Sequence, residues 1–183
     1  MNFIESLKEI IEKPEVLSQE KIPAGFAVFG MLGYILGILG LFVYLRLYVP
    51  IMPGVISTIS FLILVIAFEF LFASTLHMIM DLTGMKGKAS AIFFAFGGSD
   101  FVLTMMVPVA FITEINPTLG YLSFLMVMVA TLSVRVKLVR LIYPVSTNRA
   151  VFTLWLPCCA FLGLMLGAFV YITFWGMWIL FEL

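Results

Sequence analysis

The chain has 183 residues, of which 63% are hydrophobic and 11% are charged, whereas soluble domains carry about a quarter charged residues. This composition excludes a soluble globular fold and predicts an integral membrane protein. Ten basic and ten acidic side chains cancel, so the charge provides no field that would recruit nucleic acid. Each spanning helix needs about 20 apolar residues, so five spans leave no room for a second soluble domain.

Residues 1–22 precede the first long apolar run and mix apolar with charged positions. Their apolar side chains recur at spacings near three, four and seven: Phe3, Leu7, Ile10, Ile11 and Leu17. This pattern is typical of a helix that lies in the membrane interface. We therefore predict an amphipathic interfacial helix at the N-terminus, interrupted near Pro14.

Five apolar segments follow and predict an all-α, polytopic fold with a single transmembrane domain over residues 23–183. The first four run over about 24–45, 55–80, 89–112 and 119–134. The fifth, 150–181, would reach about 48 Å as a helix, against a bilayer core of roughly 30 Å. Because Pro157 removes an intrahelical hydrogen bond, we predict a break there, with residues 150–156 at the interface.

Lysine and arginine are unevenly divided between the two ends of these spans. With five spans, the N-terminus and the second and fourth loops share one side, and Arg46 is alone on the other. The positive-inside rule then predicts a cytoplasmic N-terminus and an extracytoplasmic C-terminus. The side with the N-terminus holds nine basic residues: Lys8, Lys13, Lys21, Lys86, Lys88, Arg135, Lys137, Arg140 and Arg149.

Small residues mark the helix surfaces that other helices can approach closely. Four glycines of the first span recur at steps of three, four and three: Gly30, Gly33, Gly37 and Gly40. They form one stripe, which predicts tight packing inside the bundle. Self-association through this stripe, or through Gly163 and Gly167 of the last span, is the alternative.

Two carboxyl groups are predicted deep in the membrane. Glu69 lies near the middle of the second span and Asp100 near the middle of the third, and a tight hairpin would bring both to one depth. Each costs roughly 3 kcal/mol or more at the bilayer centre when charged and unpaired. Arg135 is assigned to the end of its span, so no basic residue is predicted beside them. Protonation, a shared proton, hydrogen bonds to Ser99 or Thr104, or a bound cation remain open.

His77 and Asp81 are four residues apart and are predicted to form an ion pair near the cytoplasmic end of the second span. As the single histidine of the chain, His77 cannot supply a multi-histidine metal centre. Cys158 and Cys159 stand next to each other in an apolar run, which is typical of small packing residues. We predict neither a metal nor a cofactor.

The run Gly97-Gly98-Ser99-Asp100 is similar to the Gly-x-Gly-Asp motif of intramembrane aspartyl proteases but departs from it at the third position. The second aspartate that this chemistry requires would have to be Asp81, which is predicted near the interface. We therefore predict no enzyme. The two glycines are expected to admit close packing or a kink in the third span.

Two segments carry a family resemblance. In the first, His77 is followed by Gly84, by Lys86-Gly87, and by an aromatic-rich span with Phe96-Gly97 and Pro108; the second, 140–157, contains Asn148-Arg149-Ala150. Together with the layout of five spans, they resemble the Yip family of Rab/Ypt-GTPase-interacting membrane proteins and their prokaryotic relatives. Asp81-Leu82-Thr83-Gly84 only echoes the Asp-Leu-Tyr-Gly-Pro segment of the eukaryotic members.

The resemblance implies a non-enzymatic membrane adaptor or organiser with no catalytic residues. Its partners would be the lipid bilayer and either a second copy or another membrane protein. The alternative, which comes from the buried acids, is a small proton- or cation-coupled transporter or channel that uses Glu69 and Asp100.

Overall fold

The computed structural model describes residues 24–48 and 54–182, and these form helices with no strand among them. The six α-helices are α1 (Ala24–Leu45), α2 (Val55–Leu82), α3 (Ala89–Asp100), α4 (Met106–Ile115), α5 (Pro117–Ile142) and α6 (Thr147–Glu182). With α3 and α4 joined as one, they give five segments that are long and apolar enough to cross a membrane. The all-α polytopic fold is therefore confirmed, while the predicted interfacial helix over 1–22 lies outside the described residues.

Glycine terminates α2 in the way that its conformational freedom allows. Gly84 has a φ of 78°, a left-handed conformation that residues with a Cβ rarely adopt. Its N–H donates to the carbonyl of Asp81 at 2.8 Å, and the N–H of Met85 donates to the carbonyl of Met80 at 3.1 Å. This is a Schellman motif, and it turns the chain sharply into α3.

The start of α5 is specified by an N-cap residue and a proline. Asn116 accepts hydrogen bonds at its side-chain oxygen from the N–H groups of Thr118 and Leu119, both at 3.1 Å. Pro117 occupies the first helical position, where its missing N–H costs nothing. A tight hairpin between α4 and α5 follows.

The third span is interrupted in its middle. After α3 ends at Asp100, the chain tightens into a 3-10 helix, Phe101–Met105, before α4 begins. Pro108 lacks an N–H, and its ring would clash with the carbonyl of Thr104 in a continuous α-helix, but it is tolerated in the first turn of α4. The irregularity therefore lies after Asp100, whereas Gly97 and Gly98 are α-helical and closely packed.

The glycine stripe of α1 packs against the third span. A Cβ on Gly33 would overlap the carbonyl of Gly97, and one on Gly37 would overlap the carbonyl of Asp100. Gly30 and Gly40 meet backbone atoms of α3 and of the 3-10 helix in the same way. The stripe thus serves internal packing, while Gly163 and Gly167 of α6 have nothing within 4 Å of an added Cβ.

Two predicted boundaries were wrong. The fourth span does not end at residue 134, because α5 continues to Ile142 with Val136, Val139 and Ile142 buried on its inner face. The fifth span does not break at Pro157, because α6 runs through it without interruption. Inside lipid, backbone groups freed by a break would find no water, so losing one hydrogen bond costs less than ending the helix.

The two halves of α6 have different surroundings. Ala150, Thr153 and Leu154 are buried and hold the first part of the helix on the bundle. From Cys158 to Ile179 the described side chains are exposed. The second half of α6 therefore has little packing against the rest of the described chain, although Ala160 and Leu164 face α2 across a cavity.

These contrasting glycine environments predict opposite effects of one substitution. Gly37→Ala should lower the free energy of unfolding by about 1–3 kcal/mol, because the new methyl group overlaps the backbone of Asp100. Gly163→Ala should leave it unchanged or raise it by up to about 1 kcal/mol, because alanine favours helix where there is space. Unfolding of the purified protein in detergent measures both; equal stability of the two variants would contradict the packing assigned to the stripe.

Candidate functional site

Three ionisable side chains from three spans meet inside the bundle, and we call them the triad: Glu69 of α2, Asp100 of α3 and Arg135 of α5. Nη2 of Arg135 lies 2.7 Å from Oε1 of Glu69 and 2.7 Å from Oδ1 of Asp100. The side chain of Asp100 is 1% exposed, that of Glu69 12% and that of Arg135 15%. The predicted meeting of the two acids therefore occurs through a shared cation.

The expectation that no basic residue lies beside these acids was wrong. It followed from ending the fourth span at its first charged residue, which placed Arg135 in a loop. Arg135 is instead seven residues inside the end of α5, about 10 Å along the helix axis. Its long side chain reaches the depth of the acids from there.

The guanidinium of Arg135 is held by α3 as well. Its Nε donates to Oγ of Ser99 at 3.2 Å, and that hydroxyl donates to the carbonyl of Phe96 at 2.6 Å. The guanidinium carbon lies 4.8 Å from the centre of the Phe96 ring, within the range of a cation–π contact. One turn of α3, from Phe96 to Asp100, therefore provides a ring face, a hydroxyl and a carboxylate to one cation.

The charges of the triad do not balance. One guanidinium faces two carboxyls, so with both ionised the triad would hold one negative charge in excess. In addition, Oε2 of Glu69 is buried and has no hydrogen-bond partner in the described part of the chain. A buried polar atom without a partner costs free energy, so Glu69 is the least satisfied member of the triad.

The other two predicted site residues lie apart from the triad. Nδ1 of His77 is 2.6 Å from the hydroxyl of Tyr143, which follows α5, so the histidine is paired with tyrosine where an ion pair with Asp81 was expected. Asp81 itself is exposed. Burial, together with the nearby charge of Asp81, raises the pKa of Tyr143 to about 12, so its hydroxyl stays a hydrogen-bond donor at neutral pH.

Tyr143 joins the loop after α2 to the same contact. Its side chain is fully buried, and a Cβ on Gly87 would collide with its ring. A neutral imidazole can accept the tyrosine hydrogen bond at Nδ1. Tyr143 therefore holds together α2, the loop after α2 and the end of α5, at a place in the bundle outside the triad.

Among the residues that the structure describes, no three or more His, Cys, Asp or Glu side chains lie together as a metal-binding group. Cys158 and Cys159 are free thiols on the exposed side of α6. They do not pack inside the bundle as expected, because both side chains are exposed on α6.

Removing the cation of the triad should be far more damaging than removing an exposed one. Arg135→Gln leaves two buried carboxyls without their common partner, and we expect a loss of about 3–5 kcal/mol in the free energy of unfolding. Lys137→Gln, two residues further on an exposed position of α5, is the matched control and should change it by less than about 0.5 kcal/mol.

A combined variant separates charge from shape. Arg135→Gln with Glu69→Gln and Asp100→Asn removes all three charges and should be more stable than Arg135→Gln alone, because no buried charge is left unpaired. The free energies of unfolding of Arg135→Gln, Lys137→Gln and the triple variant can be compared in mixed detergent micelles. Arg135→Gln as stable as Lys137→Gln would show that the triad does not hold the bundle.

Comparison of the chain with protein-family models, with curated proteins and with solved structures finds no match. The arrangement of Glu69, Asp100 and Arg135 therefore has to be interpreted from its own geometry.

Proposed function

We propose that the protein is a non-enzymatic membrane adaptor or organiser that binds another protein within the bilayer. The observation that carries this proposal is the second half of α6. Its described side chains from Cys158 to Ile179 are exposed, although the helix begins with buried contacts to the bundle. A spanning helix that is packed at one end and exposed along the rest is available to a partner helix.

The surface of this half-helix has the features that helices use to associate in membranes. Gly163 and Gly167 are four residues apart, and both have open space where a Cβ would be. Two such glycines let another backbone approach closely, so that van der Waals contact replaces contact with lipid. The glycines of α1 are not available for this purpose, because they already pack against the third span.

The triad fits an adaptor because its polar groups are largely used within the bundle. Arg135 joins Glu69 and Asp100, and these ion pairs fix three spans relative to each other. A rigid bundle with one free helix provides a defined platform. The resemblance to the Yip family, carried by the hairpin between the second and third spans and by residues 140–157, supports the same proposal, since it implies an adaptor or organiser with no catalytic residues.

We also propose that the N-terminus is cytoplasmic and the C-terminus extracytoplasmic. Arg135 no longer counts as a flanking charge, because it is paired with Glu69 and Asp100 inside the bundle, whereas Lys137 and Arg140 are exposed near the end of α5. The bias is then eight basic residues against Arg46, and this still supports the orientation by the positive-inside rule. The free half of α6 would then lie towards the extracytoplasmic side of the bilayer.

Photocrosslinking in native membranes tests the adaptor proposal. A photoreactive amino acid at Leu164, on the exposed half of α6, should give a discrete protein adduct, whose mass tells whether the partner is a second copy or another protein. Gly163→Ile with Gly167→Ile should reduce this adduct by about tenfold, because bulky side chains keep a partner helix at a distance. The same photoreactive group at Leu36, an exposed position of α1, is the control and should label lipid. A lipid adduct alone at Leu164 would contradict the proposal.

A second candidate function, proton- or cation-coupled transport, is favoured by a specific feature of the triad. Oε2 of Glu69 is buried without a partner, and two carboxyls share one guanidinium. A carboxyl group in such a place can take up and release a proton or a small cation as its surroundings change. The adaptor proposal does not account for this unpartnered oxygen.

Flux through liposomes distinguishes the two functions. If the protein is a transporter, purified protein in liposomes dissipates a pH or cation gradient, and Glu69→Gln with Asp100→Asn abolishes the leak. If it is an adaptor, liposomes with wild-type protein and with the double variant keep their gradients equally well. Asp81→Asn, an exposed aspartate outside the triad, is the control and should leave any flux unchanged.

A further inference from the structure

A second polar site lies at the opposite end of the bundle from Tyr143, where α1 and α4 both end. A cavity of about 270 Å³ lies between the ends of the two helices. It is lined by Val43, Arg46, Leu47, Ala110, Phe111 and Glu114. One cation and one anion thus line an otherwise apolar cavity.

Neither charged residue is used by the fold. Arg46 and Glu114 are exposed, and neither side chain makes a hydrogen bond or an ion pair to another described residue. Glu114 lies in the last turn of α4, where the helix dipole disfavours a negative charge. Arg46, by sequence, is the single basic residue on this side of the membrane. Both charges are therefore free to pair with a ligand.

The lining defines the chemistry of a complementary ligand. An anionic group would pair with Arg46, a cationic group with Glu114, and a hydrocarbon chain would lie along Val43, Leu47 and Phe111. A zwitterionic phospholipid has all three parts. Both charged residues lie at the ends of spans, which is the level at which lipid headgroups are found.

We propose that this cavity binds the headgroup of a zwitterionic phospholipid with a primary ammonium group, that is, an ethanolamine phospholipid. Its phosphate is bound by Arg46 and its ammonium donates to the carboxylate of Glu114. A quaternary ammonium has no N–H and cannot make that charge-assisted hydrogen bond. The volume, just below the usual range for ligand pockets, suits a headgroup with its chains outside in the bilayer.

Competition between lipids in native mass spectrometry tests this site. The purified full chain in detergent is mixed with equal amounts of phosphatidylethanolamine, phosphatidylcholine and phosphatidylglycerol that have identical acyl chains. We expect phosphatidylethanolamine adducts to dominate. Because the readout is a ratio between lipids bound by the same folded molecules, a partial loss of folded protein does not change it.

Two variants assign the contacts. Glu114→Gln should lower the ratio of phosphatidylethanolamine to phosphatidylcholine adducts by up to about tenfold, because the amide cannot pair with the ammonium charge. Arg46→Gln should weaken binding of all three lipids, since each has a phosphate. Arg149→Gln, an exposed arginine in the fourth loop, is the control and should change neither.

Several outcomes would overturn the proposal. Phosphatidylglycerol as the dominant adduct would show that only the charge of Arg46 matters, and an unchanged lipid ratio in Glu114→Gln would remove the ammonium contact. Soluble phosphoethanolamine should not displace the lipid at equal concentration, because it leaves the apolar lining empty. Displacement by it would show that the cavity binds a small metabolite and not a lipid.

Discussion

A guanidinium surrounded by hydrocarbon has to find its hydrogen-bond acceptors inside the protein. Arg135 finds them on two other spans, at Glu69 and Asp100, and each of those acids in turn depends on it, because an unpaired carboxylate at such depth is costly. The contact can form only when α2, the third span and α5 lie at one relative height. A sliding movement of any one span would strand a charge in lipid, so the triad specifies the vertical register of the bundle.

The glycine face of α1 lets α1 and the third span pack with their backbones in close contact. Gly37 lies against the backbone of Asp100, and the third span changes from α-helix to 3-10 helix directly after this residue. On the other side, Ser99 and Phe96 contact the guanidinium. The segment around Asp100 is thus enclosed by a bare backbone surface and by a cation, which explains why small residues and an acid stand next to each other in this part of the sequence.

Much of this arrangement could be predicted from the sequence. The length of the apolar runs located five spans, and the regular spacing of glycines identified the face that packs inside. Arg135 was missed because a charge was taken as the end of a span, although Val136, Val139 and Ile142 continue the helical spacing beyond it and would have revealed the longer helix. The pairing of His77 with Tyr143 joins residues 66 positions apart, and no rule of local spacing finds such a contact.

Because α6 continues through Pro157 without a break, its length bears on the bilayer thickness that suits the protein. Its candidate span covers 33 residues, about 50 Å of helix, whereas an average bilayer core measures roughly 30 Å. A tilt of about 40° from the bilayer normal, the upper end of the range for membrane helices, compensates for only part of this excess. Thicker surrounding lipid accommodates the remainder, so hydrophobic mismatch would favour the thicker regions of the host membrane.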